Sequence, residues 1–144
     1  MKRLVRFSFI CLFFLAACTN GNSDKETTSE NDVDAARNFI RAALDGQWRE
    51  AKKFMLQDST NIVLLDYSEN NYQIHLNSED KRGYREASIT LYDTRQLNDS
   101  VSIINYSNSY KKQKDSLRVV RSGGVWVVDL KYSFPQTDTT HYVQ

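Results

Sequence analysis

The sequence predicts an α+β fold in which N-terminal helices pack on one face of a four-stranded antiparallel meander sheet. Two observations carry this reading. From Val33 to about Arg85 the apolar residues recur at three-and-four spacing, and from Ala87 onward they alternate. The alternating part is cut into four runs by short turn-forming stretches, which forces neighbouring strands to run antiparallel. A sheet with one apolar face needs a cover, and the segments before it are helical, so they supply that cover.

The elements follow in order. Asn31 or Asp32 stands at an N-cap position, Val33, Ala36, Phe39, Ile40, Ala43 and Leu44 make an apolar stripe, and Gly46 ends it. Beyond that break Trp48, Ala51, Phe54 and Met55 repeat the period, with Arg49, Glu50, Lys52 and Lys53 on the other side, predicting a second helix folded back as a hairpin. A third helix is expected from 62 to about 72 and a short fourth over 78–85. Strands are expected over 87–94, 100–109, 116–121 and 125–134, with turns at Asn98-Asp99, at 111–115 and at Ser122-Gly123-Gly124. In the last run Trp126, Val128, Leu130, Tyr132 and Phe134 share one face, which makes Trp126 a core anchor. The neighbours Ile103 and Ile104 break the alternation of the second strand and are expected to mark a bulge.

The ends carry a different message. Lys2, Arg3 and Arg6 precede the apolar run 7–17, the layout of a secretory signal that is too short to span a bilayer, which takes roughly 20 residues. The quartet Leu15-Ala16-Ala17-Cys18 resembles the lipobox of bacterial lipoproteins. That resemblance implies cleavage between Ala17 and Cys18, a lipid on the Cys18 sulfur and a firm membrane anchor. Thr19 after the cysteine resembles lipoproteins passed on to the outer membrane, without assigning a leaflet. The expected organisation is therefore a signal at 1–17, a lipidated cysteine and flexible tether at 18–31, a domain at 32–134 and a polar tail at 135–144.

Loss of the signal removes three basic residues and no acid, leaving 16 Lys and Arg against 18 Asp and Glu. That balance argues against a nucleic-acid partner, because such proteins gather a basic excess on one face. Of the two cysteines, Cys11 leaves with the signal and Cys18 is taken by lipid, so no disulfide and no thiolate metal site is expected. Residues 32–134 should fold alone as a soluble monomer, and a sheet face left bare by too few helices would instead show itself as dimerisation or aggregation.

Two stretches carry a family resemblance. Ala43-Leu44-Asp45-Gly46-Gln47-Trp48-Arg49-Glu50-Ala51 and Gly123-Gly124-Val125-Trp126-Val127-Val128-Asp129 resemble small exported lipoproteins of unknown function with a nuclear-transport-factor-two-like, cystatin-like cone. The matching features are a glycine ending an alanine-rich helix, an inward alanine, and a turn before a core tryptophan. What they imply is a fold, not an activity.

No residue pattern spells out a reaction. His75 and His141 stand at no metal-ligand spacing, and no serine lies in a Gly-x-Ser-x-Gly elbow, so neither a metal, a cofactor nor a catalytic set is expected. The candidate pocket residues are Asp129, a carboxylate inside an apolar strand, Tyr92 and Tyr106 on the sheet, and His75. Alternation turns Asp129 away from the core, where Lys131, Arg118 or Arg121 would pair with it. The expected role is non-enzymatic: a membrane-anchored envelope lipoprotein that binds a small ligand or an envelope partner protein. The alternative is a hydrolase or isomerase with a pocket in the same fold, recognisable by converging polar groups with displaced pKa values.

Overall fold

In the computed structural model residues 29–134 are described; the expected signal, Cys18, most of the expected tether and the expected polar tail lie outside the described residues. Helix α1 (Asp32–Leu44) begins where Asn31 Oδ1 accepts the Asp34 amide at 2.9 Å. It ends in a Schellman turn, with Gly46 N donating to Ala43 O and Gln47 N to Ala42 O while Gly46 adopts φ +72°. The expected second helix is short: α2 (Trp48–Ala51) tightens into a 3₁₀ turn, Lys52–Phe54, and the chain is extended by Met55. α3 (Ser59–His75) is capped by Asp58 and is longer than its apolar run, and α4 (Ser78–Glu86) is capped by Asn77. α3 buries only Asn61 and Leu65, and Val63 and Ile74 face solvent. Its apolar cluster at 62–65 therefore runs around the helix instead of making one stripe.

The four strands β1 (Ile89–Asn98), β2 (Val101–Asn108), β3 (Lys114–Ser122) and β4 (Val125–Asp129) form an open antiparallel meander in the order β1-β2-β3-β4. Two-residue turns close the first and last hairpins. In the last, both Gly123 (φ +58°) and Gly124 (φ +87°) take the left-handed backbone that a type I′ turn needs.

The expected bulge at Ile103-Ile104 is corrected. β2 is regular there, and its two isoleucines are both buried because they point to opposite faces, Ile104 into the core and Ile103 between the register neighbours Arg95 and Arg118. The register shifts lie in β1 instead, at Tyr92 and at Leu97.

Ala35, Ala36, Phe39, Ile40 and Ala42 of α1 lie against Ile104, Leu117, Val119 and Val128, with Trp48, Phe54, Met55, Leu65 and Leu130 filling the sides. Small alanines let the helix axis approach the sheet closely. The expected last strand is also corrected: it stops at Asp129 and becomes a 3₁₀ turn, Leu130–Tyr132. Alternation continues in the sequence, but the Leu130 amide donates to Asn61 Oδ1 at 2.7 Å and the Lys131 amide to Asp129 Oδ1 at 3.3 Å, which turns the backbone out of the sheet. Trp126 is half-buried at the margin of the core instead of anchoring it, because its register partner is the exposed Arg121 near the hairpin end. The outer edge of β4 is met at one position by the segment after the Lys52–Phe54 turn: Met55 bridges to Val128, and Leu56 N donates to Val128 O at 2.8 Å.

Candidate functional site

A cleft of about 470 Å³ opens where the C-terminal end of α1 meets α2, α3 and α4. Leu44 and Ala43 form its floor with Trp48, while Tyr72, Leu76, Tyr84 and Phe134 give the rest of its apolar wall. The fold brings these together through the Schellman turn. A Cβ on Gly46 would meet the Tyr72 ring at 3.0 Å, tighter than ordinary contact, so the glycine gives room for that ring, which meets Trp48 edge-on at 5.5 Å and 72°. Trp48 is 9% exposed, and its Nε1 is a buried donor without a partner among the described residues.

Polar groups are few. Ser68 Oγ donates back to Leu64 O at 2.9 Å, while the Asn71 and His75 side chains of α3 face the cleft with no hydrogen-bond partner among the described residues. No Asp, Glu, Lys or Arg is among the residues lining it. Two lysines border its aromatic rings: Lys81 Nζ lies 5.4 Å from the Tyr72 centroid and Lys111 Nζ lies 5.8 Å from that of Tyr84. Burial and the nearby Asp80 carboxylate raise the Tyr84 pKa above the usual phenol value, so its hydroxyl remains a neutral donor.

The four candidate residues do not converge. His75 is exposed and lines the cleft. Tyr106 is on the helix-side face of β2, with its hydroxyl donating to Asp115 at 3.2 Å; burial first, and then that carboxylate, raise its pKa. Tyr92 is 52% exposed on the opposite face and shares a 2.6 Å hydrogen bond with Ser107. Asp129 does point away from the core, yet it is only 4% exposed.

What buries Asp129 is a polar clamp between α3 and the end of β4. Asn61 Nδ2 donates to Asp129 Oδ1 at 3.2 Å and to Asp58 Oδ2 at 3.0 Å, and Lys131 Nζ meets Asp58 at 2.6 Å and Asp129 at 3.6 Å. Arg118, the register partner of Asp129, approaches it at 3.7 Å. The Lys131 hydrogen bond and the Asn61 amide lower the Asp58 pKa to about 2, and the same Asp58 contact raises that of Lys131. Every acid in the clamp has a partner inside the protein. The arrangement therefore pins α3 to the sheet and presents no free acid–base pair.

The cleft residues Trp48, Tyr72, Tyr84 and Phe134 carry no motif; in the sequence they read as ordinary core or core-edge aromatics, and only the helix-ending Gly46 hints at a close approach. Among the described residues no group of three or more His, Cys, Asp or Glu is placed to hold a metal ion, and no helix is long and apolar enough to cross a membrane. Comparison with protein-family models, with curated proteins and with solved structures finds no match to the chain.

Proposed function

We propose that the protein is a membrane-anchored envelope lipoprotein whose α+β domain binds a small, largely apolar ligand in the cleft beside Trp48. The observation that carries this is the cleft itself: an aromatic wall of Trp48, Tyr72, Tyr84 and Phe134 with two uncommitted polar side chains, Asn71 and His75. A concave, mostly apolar site with a few polar groups is the usual form of a small-molecule pocket. Binding is favoured over hydrolysis or isomerisation because the carboxylate with a displaced pKa, Asp58, belongs to the clamp and not to the cleft. The anchor rests on the lipobox-like Leu15-Ala16-Ala17-Cys18, and kinship with the cone lipoproteins rests on the two stretches quoted above.

The chain has two tryptophans, so Trp126→Phe leaves Trp48 as the sole indole reporter. Titration with 8-anilinonaphthalene-1-sulfonate should then change its emission along a one-site saturation curve. Ala43→Phe, which fills the floor, should abolish that change. A response without saturation, or one identical in the filled variant, would remove the cleft from consideration. For the anchor, Cys18→Ser should leave an unprocessed precursor, and a processed chain carrying a free thiol would contradict lipidation.

A further inference from the structure

The two edges of the sheet are treated differently. The outer edge of β4 is met at Val128 by Met55 and Leu56, whereas no strand pairs with the outer side of β1 among the described residues. Every residue of β1 from Tyr92 onward is exposed. Midway along it, Asp93 and Arg95 project from the face opposite the helices, in register with Asn105 and Ile103. Neither side chain has a hydrogen bond or ion pair among the described residues, which makes them an unused pair of opposite charges two positions apart.

That spacing is self-complementary. When two copies of β1 run antiparallel with Thr94 facing Thr94, Asp93 of each copy stands directly opposite Arg95 of the other, at the 4.5–5.5 Å Cβ separation typical of cross-strand pairs. Centring the pairing on Asp93 would set acid against acid, and centring it on Arg95 would set base against base. The register is thus chosen by charge as well as by backbone. The irregularities at Tyr92 and Leu97 bracket the segment 93–96 without interrupting it, so the paired stretch is short and the association modest.

We infer that β1 is the contact through which two copies of this chain join edge to edge, in a two-fold antiparallel pairing centred on Thr94. The contact is isologous, the same patch serving both copies, and the main-chain groups of the free edge supply its hydrogen bonds.

Full-length chain in its native membranes, carrying Thr94→Cys, tests this. On the two-fold axis the paired Cα atoms fall within the roughly 4.4–6.8 Å that a disulfide tolerates. Mild oxidation should give a covalent dimer that is absent when the chain lacks the substitution. Adding Asp93→Arg places like charges opposite each other twice and should lower the cross-linked fraction about tenfold. Adding Arg95→Asp as well should restore it, which separates charge matching from misfolding. No cross-link at position 94, or one indifferent to both charge changes, overturns the inference.

Discussion

The sheet is two materials joined at β2. On the side of β3 and β4, α1 lies across the strands, and Ile104, Val119 and Val128 are sealed from solvent. On the side of β1 the same sheet continues with no helix over its far half, and even the residues that face the helix side there, Thr94 and Gln96, are exposed. The sequence itself marks the difference: β1 alternates only through Ile89 and Leu91, and Asp93-Thr94-Arg95-Gln96 is polar on both faces. What separates them is cover. A helix of 13 residues is about 20 Å long at 1.5 Å per residue, enough to shield part of a four-stranded sheet, and α3, the longer helix, is committed to the clamp at the end of β4.

The largest effect should come from emptying the covered half. Ile104→Ala should destabilise by roughly 2–5 kcal/mol, read by denaturant unfolding, while Leu97→Ala on the bare half should stay within about 0.5 kcal/mol. Equal losses would erase the distinction. Next comes the clamp. Asn61→Ala strands the Leu130 amide and takes one partner from buried Asp129, at a cost of roughly 2–3 kcal/mol, and hydrogen exchange should quicken first at the end of β4.

Trp126 tests the boundary. Half-buried, it should lose only about 1–2 kcal/mol as Trp126→Ala, well short of a full aromatic cavity. Ser102 sharpens the covered side from the opposite direction. It lies at 0% exposure on the core face, and its hydroxyl has no hydrogen-bond partner among the described residues. Ser102→Ala should therefore raise the unfolding midpoint, by up to about 1 kcal/mol of stability, and a loss would mean that the hydroxyl is satisfied in solution.

The smallest expected effect is a pH dependence. The Asp58 pKa is lowered in the folded protein from 3.8 to about 2, so its contribution is complete above pH 4 and is lost as pH falls through 2. The side chain is 37% exposed, and water screens much of the attraction. Lys131→Met should remove this acid limb; an unchanged acid titration would assign the pH dependence to other groups.

Much of the fold was legible in local pattern. Asn31 and Gly46 bracket α1 because caps are decided by a few neighbouring residues, and the paired glycines mark the last hairpin for the same reason. The features that escaped depend on distant partners. Asn61 looks like an ordinary first-turn residue after its Asp58 cap, but its decisive contact, Asp129, is 68 positions away and ends β4 early. The bulges shifted from Ile103 to β1 because two adjacent buried isoleucines reflect a sheet covered on both faces locally, which no single strand reveals. Of the site, His75 was named among the candidates, while Trp48 and Tyr72 were hidden by being hydrophobic, since a cleft wall and a core are built from the same side chains.

The short crossing of Met55 over Val128 has a further consequence for the solution behaviour of the chain. A strand ladder propagates only when a newly joined copy still offers a free margin for the next. Here each subunit has one receptive margin and one that its own backbone already occupies at Val128, so an assembly through β1 ends after a single addition. Two backbone positions directly after the 3₁₀ turn that follows α2 thereby act as a chain terminator, and they guard a protein with a long bare strand against becoming a fibre.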